Sequence, residues 1–146
     1  MKASLLHEAD GRRTFMLVLS SGDEASGCLS LFAHDHRLRA SHFTAIGAFS
    51  SAVVGYFDWE KKDYQKIAID EQVEVLSLIG DVSLGNGEPK IHAHVVLGKS
   101  DGTAHGGHLL SGNVRPTLEV VLTESPAYLR RRYDPESGLA LIDPTR

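Results

Sequence analysis

The sequence predicts an α+β domain in which a mainly antiparallel β-sheet packs against one principal helix. One segment, starting at Asp23, repeats its apolar residues at helical spacing, whereas several others have the alternating or continuous apolar pattern of strands. Short turns separate the strand segments, and no Pro/Gly/Ser-rich linker divides the chain. Its 146 residues therefore fit a single domain, residues 1–146, which can bury a core without disulfides or a structural metal.

The first part of the chain predicts a β-hairpin followed by the helix. Residues 3–7 and 13–19 have the composition of strands, and Asp10-Gly11 between them is a typical turn. The helix is expected to begin at Asp23, because Asp23 and Glu24 then lie in the first turn, where the helix dipole favours acidic side chains. Its apolar residues are Ala25, Cys28, Leu29, Leu31, Phe32 and Leu38.

A succession of strands is predicted beyond Arg39. The segments are residues 43–49, 52–59, 63–69, 74–80, 91–97 and 117–123. Residues 74–80 are apolar on both alternating faces, as expected of a central strand that is covered on each side. One helix covers only one of these faces. Residues 126–133 predict a short C-terminal helix, and an irregular tail completes residues 126–146.

The charge balance disfavours a self-sufficient DNA-binding domain. The chain has 15 Lys and Arg residues against 19 Asp and Glu residues, a net charge of −4, whereas DNA-binding domains carry a basic face. The basic run of the sequence is Arg130-Arg131-Arg132, flanked by Tyr128 and Tyr133. We expect these three arginines to form a solvated face of the predicted C-terminal helix.

Cysteine usage and apolar segment lengths indicate a cytoplasmic protein. Cys28 is the single cysteine, so it cannot form an intrachain disulfide. The N-terminal segment has no apolar stretch ending in a small-residue cleavage site. The apolar runs of the chain are far shorter than the roughly 18 residues that span a bilayer, so no membrane contact is expected.

The sharpest local motif is His-x-His in a predicted strand. Residues two apart on a strand share a face with Cα atoms about 6.6 Å apart, so His92 and His94 can bind one ion. A turn at residues 99–102 would return the chain antiparallel and bring His105 or His108 to the pair. Three neutral imidazoles suit Zn²⁺ or another divalent transition metal, and they leave a fourth position for water or a ligand.

Two other interpretations of this region are weaker. A cupin metal motif would need a Glu at position 98 or 99 and a Gly at position 86. This chain has Gly98, Lys99 and Asn86 there instead. Residues 98–102 match the G-x-S-x-G pattern of an esterase nucleophile elbow, but residues 103–107 cannot begin the helix that this motif needs. A hairpin turn is the better interpretation. We assign no catalytic residue and no organic cofactor, and Glu74, Asp81 and Glu119 are the carboxylates that folding could bring to the metal.

From residue 13 to about residue 125 the sequence resembles the plant and prokaryote conserved (PPC) domain. This family occurs as single domains in prokaryotes and fused to AT-hooks in plant nuclear proteins. The matching motifs, in order along the chain, are residues 17–22 (LVLSSG), 45–48 (AIGA), 54–57 (VGYF), 74–82 (EVLSLIGDV), 92–98 (HAHVVLG), 101–102 (DG), 106–110 (GGHLL) and 117–120 (TLEV).

This resemblance implies an antiparallel sheet with a helix against it, assembled as a homotrimer. It also implies a metal ion bound by His92, His94 and His108, since the family pattern has its histidine after Gly-Gly and not at His105. Members are described as DNA-binding proteins, largely through the plant relatives. The present chain has no Arg-Gly-Arg-Pro AT-hook core, and residues 71–76 keep only the Glu and Leu of the plant partner-binding motif Gly-Arg-Phe-Glu-Ile-Leu.

Two functional hypotheses follow. The first is a non-enzymatic, metal-containing homotrimer with a DNA-binding or regulatory role, in which any DNA contact is weak. The alternative is a zinc-dependent enzyme or a small-ligand-binding protein that uses the open position of the three-histidine site.

Overall fold

One mainly antiparallel sheet and one helix make up the described part of the chain. The structure is a computed structural model that describes residues 1–144. The elements are β1 (Lys2–Ala9), β2 (Arg12–Ser20), α1 (Ala25–Asp35), β3 (Ala40–Asp58), β4 (Asp63–Ile69), β5 (Val73–Gly85), β6 (Glu88–Gly98), β7 (Ala104–Glu124), β8 (Arg130–Asp134) and β9 (Leu139–Asp143). The predicted fold class is confirmed.

Four of the strands form a closed circuit of hydrogen-bonded pairs. Strand β3 pairs with β5 and with β7, and β6 also pairs with both β5 and β7. All four pairings are antiparallel. Three further strands extend this circuit: β2 pairs with β7, β1 with β2, and β4 with β3. Strands β3 and β7 are long enough, at 19 and 21 residues, to serve several partners along their length.

The helix covers one face of the sheet and completes the core. Its side chains Leu29 and Phe32 are buried, and the Phe32 ring meets that of Phe15 from β2 edge-on with centroids 5.2 Å apart. Glu24 is the N-cap: its carboxylate accepts hydrogen bonds from the backbone N–H groups of Ser26 and Gly27. The helix therefore starts at Ala25, just after Asp23 and Glu24, and not at Asp23 as the sequence predicts.

Most predicted strands are present, with two joined into one. The predicted strands 43–49 and 52–59 are joined in the single strand β3, because the backbone remains extended between them, and β3 ends at Asp58, one residue before the predicted end. The predicted strand at residues 117–123 is the second half of β7. The predicted N-terminal hairpin matches β1 and β2, and Gly11 at its turn has a φ of 74°.

The predicted C-terminal helix is wrong. Residues 130–134 form β8, which pairs antiparallel with β9 and carries the three consecutive arginines on a strand. The turn between the two strands is stabilised by Asp134, whose carboxylate accepts hydrogen bonds from the backbone N–H and the hydroxyl of Ser137. The hairpin joins the sheet where the Leu84 N–H of β5 donates to the Leu129 carbonyl at 2.7 Å. Pairing with a partner strand overrides the local preference for a helix.

Within one chain, strand β5 is buried on one face only, so the chain itself does not supply the cover on both faces that the sequence predicts. Val75 and Leu78 are 3% and 0% exposed, whereas Leu76 and Ile79 are 56% and 55% exposed. The single helix lies on the other side of the sheet. Neighbouring strands add exposed apolar residues on this side, so we call the set Ile46, Leu76, Ile79, Val96 and Val121 the outer apolar face.

In the part of the chain that the structure describes, no helix combines the length and the hydropathy needed to cross a membrane.

Candidate metal centre

Three histidines come together where β6 and β7 pair. His92 and His94 share one face of β6, and His94 lies directly opposite His108 in the register of the two strands. One ring nitrogen from each residue lies within 4.8 Å of the corresponding nitrogens of the other two. His105 is opposite Leu97 and is not part of this cluster. Of the two histidines that strand spacing left open, the structure brings His108 to the pair.

A tight turn sets the register that aligns these histidines. The Gly102 N–H donates to the Lys99 carbonyl at 3.0 Å, and the Lys99 N–H donates to the Thr103 carbonyl at 2.9 Å. The Asp101 carboxylate accepts hydrogen bonds from the backbone N–H and the hydroxyl of Thr103. Strand β7 begins immediately afterwards at Ala104, with no helix. This confirms the hairpin turn over the nucleophile elbow.

Two glycines allow the backbones around the histidines to approach closely. A Cβ atom on Gly107 would lie 2.7 Å from the Gly55 carbonyl oxygen of β3. A Cβ atom on Gly80 would lie 2.5 Å from the His92 carbonyl oxygen and would also collide with the Phe43 ring. Both contacts are shorter than side-chain carbons tolerate. The Gly-Gly-His motif therefore reflects a steric requirement of β7 as it passes β3.

His108 is the most enclosed of the three histidines. Its ring stacks with that of Tyr64 from β4 at 4.6 Å between centroids, and with that of His92 at 5.2 Å. Burial, reinforced by the nearby His92, His94 and Arg131, lowers the pKa of His108 to about 4. Burial also lowers the pKa of His94, and the nearby His92 makes a smaller contribution in the same direction. Both rings are therefore neutral at neutral pH, which is the form that binds metal.

The Nδ1 atom of His108 is buried and has no hydrogen-bond partner, the sole side-chain atom in this condition among residues 1–144. Buried polar atoms of native proteins almost always have a partner, so an orphaned one indicates a missing ion or water. The donor set is also chemically suited to zinc, which binds neutral imidazole nitrogens at about 2.0–2.1 Å. The three histidines therefore fit a divalent transition metal in geometry and in the type of donor atom.

Asp81 of β5 lies beside the cluster. Its Oδ2 atom is 3.5 Å from His92 Nδ1, and its Oδ1 atom accepts hydrogen bonds from Arg131 at 2.8 Å and from the Ser83 hydroxyl at 3.2 Å. Burial alone would raise the pKa of Asp81, but His92 and Arg131 together outweigh it and lower that pKa. The carboxyl group is therefore ionised at neutral pH.

Of the three carboxylates that the sequence suggested, Asp81 is the one beside the histidines. Glu74 lies opposite Gly98, at the far end of β5 from Asp81, and Glu119 lies opposite Ile46 on β3. Sequence analysis missed Arg131, which it placed on a solvated helix. No spacing signal links Arg131 to Asp81, because the two residues are 50 positions apart.

A shallow groove of about 400 Å³ runs beside two of the histidines. Phe43 and Ile79 supply apolar wall, and Asp81, His92 and His94 supply polar groups at one side. Because Ile79 also belongs to the outer apolar face, the groove is continuous with that face.

Comparison with known proteins supports the resemblance noted in the sequence. The family described as the Plants and Prokaryotes Conserved (PCC) domain matches residues 6–126, so β8 and β9 follow the matched segment. The chain is also 30% identical over 129 residues to the bifunctional protein GlmU of Synechococcus sp. (strain JA-3-3Ab). That match covers 86% of this chain but 20% of the length of the relative.

Solved structures share this fold along nearly the whole chain. A plant- and prokaryote-conserved protein of Pyrococcus horikoshii is 33% identical with a TM-score of 0.85, covering 99% of this chain and 96% of its own. A metal-containing protein of Archaeoglobus fulgidus is 39% identical with a TM-score of 0.83, covering 97% and 99%. A candidate DNA-binding protein of Bacteroides thetaiotaomicron is 26% identical with a TM-score of 0.86, covering 97% and 96%.

With a family match over most of its length and these structural relatives, the chain belongs to the plants and prokaryotes conserved (PCC) domain family.

Proposed function

We propose that this protein is a non-enzymatic, metal-binding PCC domain in which His92, His94 and His108 bind one Zn²⁺ or similar divalent ion. The observation that carries the proposal is the buried, unpartnered Nδ1 atom of His108 beside the imidazoles of His92 and His94. The metal-containing relative from Archaeoglobus fulgidus, 39% identical to this chain, supports it. When bound, a three-histidine zinc ion offers one further coordination position to water or a ligand.

The surroundings of the histidines favour a binding role over the alternative of a zinc-dependent enzyme. Asp81 is the carboxylate beside the site: its Oδ1 atom is engaged by Arg131 and Ser83, and its Oδ2 atom faces His92 Nδ1. A general base needs a free lone pair within reach of the proton that it removes. Asp81 instead orients groups around it. The adjacent groove supports a small molecule as a further ligand, bound against Phe43 and Ile79.

Self-association as a homotrimer is the second part of the proposal. The outer apolar face exposes Leu76 and Ile79 from β5 and Val96 from β6 on one side of the sheet. Exposed apolar patches of this kind mark protein interfaces, and burying them in a contact between copies stabilises the assembly. The helix of the same chain lies on the opposite face, so cover must come from another copy.

DNA contact is the third part of the proposal and rests on the candidate DNA-binding relative. The arginine run does not form a uniform basic patch. Arg131 points inward to Asp81, and Arg132 pairs with Asp143 at 3.2 Å. The net charge of −4 per chain adds long-range repulsion from phosphates. We therefore propose that any DNA binding is weak and without sequence preference.

The ligand set can be tested by metal analysis of purified variants. His92→Ala, His94→Ala and His108→Ala should each remove the metal, because two imidazoles bind a divalent ion far more weakly than three. His105→Ala is the matched control and should keep one metal ion per chain. Loss of metal from His105→Ala together with its retention in His108→Ala would show that the assignment is wrong.

The lowered pKa of His108 predicts how the metal-free protein responds to acid. In the unfolded chain this imidazole takes up a proton near pH 6.5, but in the folded protein it does so only near pH 4. The free energy of unfolding should therefore decrease as the pH falls from about 6.5 to about 4. Urea titrations across this range should give a flatter dependence for His108→Gln. Equal slopes in the two proteins would contradict the burial of a neutral His108.

The outer apolar face can be tested by light scattering. The wild-type protein should have the mass of a trimer, and Leu76→Glu should shift it towards monomer because the substitution places a charge in the buried contact. Leu141→Glu is the control, since Leu141 is similarly exposed, at 45%, on β9 outside this face. A monomeric wild-type protein across a wide concentration range would refute the trimer.

DNA binding can be tested by salt titration of the complex with unrelated duplexes. We expect the affinity for DNA to be low, to decrease steeply with salt and to be independent of the DNA sequence. The double variant Arg130→Ala/Arg132→Ala should weaken them further, and it leaves Arg131 in place. A tight, sequence-specific complex that persists at high salt would overturn this part of the proposal.

A further inference from the structure

The C-terminal hairpin inserts a buried arginine into the surroundings of the candidate metal centre. The side chain of Arg131 is 11% exposed, although its neighbours on β8, Arg130 and Arg132, are exposed. Its Nε–H donates to the Ser83 hydroxyl at 2.8 Å, one terminal nitrogen donates to Asp81 Oδ1 at 2.8 Å, and the other donates to the Ala140 carbonyl at 3.0 Å. All three nitrogens of the guanidinium group are engaged.

Asp81 links this arginine to a histidine of the cluster. Its Oδ1 atom is held by Arg131 and Ser83, while its Oδ2 atom is the one that lies 3.5 Å from His92 Nδ1. The two carboxylate oxygens thus serve different partners, one on each side. A carboxylate clamped at one oxygen cannot rotate freely, so the position of the other oxygen is also restricted.

The chemistry of histidine ligands explains how this arrangement can affect metal binding. Metal-binding histidines usually donate the N–H of the nitrogen that does not bind metal to a carboxylate, which selects the tautomer and orients the ring. Asp81 faces Nδ1 of His92, so a proton held there leaves Nε2 as the lone-pair donor. The orientation of His92 then depends on Asp81, and that of Asp81 depends on Arg131.

We propose that Arg131 is a positioning residue for the metal centre, acting through Asp81 to hold His92 in the tautomer that binds metal at Nε2. This inference rests on the proposed three-histidine site. It assigns a role to the hairpin β8–β9, which follows the segment that the family match covers. A positively charged group beside a metal site would by itself repel the cation, so the pairing with Asp81 is essential to the role.

A purely structural role for Arg131 makes a different prediction. In that case the arginine would only anchor the hairpin to β5 through Ser83 and brace β8 against β9 through the Ala140 carbonyl, and its loss would lower the thermal stability without changing the affinity of the folded protein for metal. The positioning role requires a change in metal affinity and in the tautomer of His92. The two roles are therefore separated by measurements on folded protein.

The experiment is a double-substitution cycle read out by zinc affinity, measured by competition with a chromophoric chelator. Arg131→Ala and Asp81→Asn should each weaken zinc binding by about 10- to 100-fold, the usual effect of removing a partner of a ligating histidine. The combined variant should be little worse than Asp81→Asn alone, because Arg131 acts through Asp81. Arg132→Ala, one residue away on the same strand, should leave the affinity unchanged.

The tautomer provides a readout that needs no metal. Nitrogen NMR of the metal-free protein should show the proton of His92 on Nδ1 in the wild type, and a mixture of tautomers in Arg131→Ala. Should Arg131→Ala fail to fold, Arg131→Lys keeps the charge but loses the planar fork of donors, and it should weaken zinc binding to an intermediate degree.

The outcomes separate the two proposals. A wild-type protein that binds no zinc would refute the three-histidine site. A wild-type protein that binds zinc while Arg131→Ala or Arg131→Lys binds it equally well would refute only the role of Arg131. Additive losses in the combined variant, or an unchanged tautomer of His92 in Arg131→Ala, would also overturn that role.

Discussion

The closed circuit of pairings among β3, β5, β6 and β7 is the constraint on which the site depends. Each of these strands is held by two or more others, so its register is fixed from both sides. A slip of one residue would move every side chain to the opposite face of the sheet. Asp81, His92 and His108 lie on three successive strands of this circuit, which makes their mutual positions a property of the backbone and not of flexible side chains.

Electrostatics within the cluster follow from that rigid placement. Burial and the neighbouring imidazoles disfavour protonation of His94 and His108, because each charge would be poorly solvated and would repel its neighbours. The Arg131 guanidinium adds to this effect, while the ionised Asp81 compensates the arginine. The result is a pair of neutral imidazoles, those of His94 and His108, next to a balanced ion pair of Asp81 and Arg131.

Local patterns in the sequence predicted part of this arrangement, and long-range pairing determined the remainder. Alternation along a strand is sufficient to place His92 and His94 on one face, and the Asp101-Gly102 turn indicates a return strand. The choice between His105 and His108 depends on the exact register of that turn, which spacing alone does not define; the family resemblance indicated His108. The contact of Arg131 with Asp81 could not be predicted, because the two residues are remote in the sequence and the segment around Arg131 has the sequence pattern of a helix.

The separation between these residues also dictates an order of assembly. His94 and His108 are joined by a single hairpin, so the entropy lost in closing their loop is small and the three imidazoles can meet early in folding. Asp81 and Arg131 are 50 positions apart, and their contact forms only after β8 has docked on β5. The entropic cost of closing the longer loop therefore falls on the docking of the C-terminal hairpin and not on the approach of the three imidazoles.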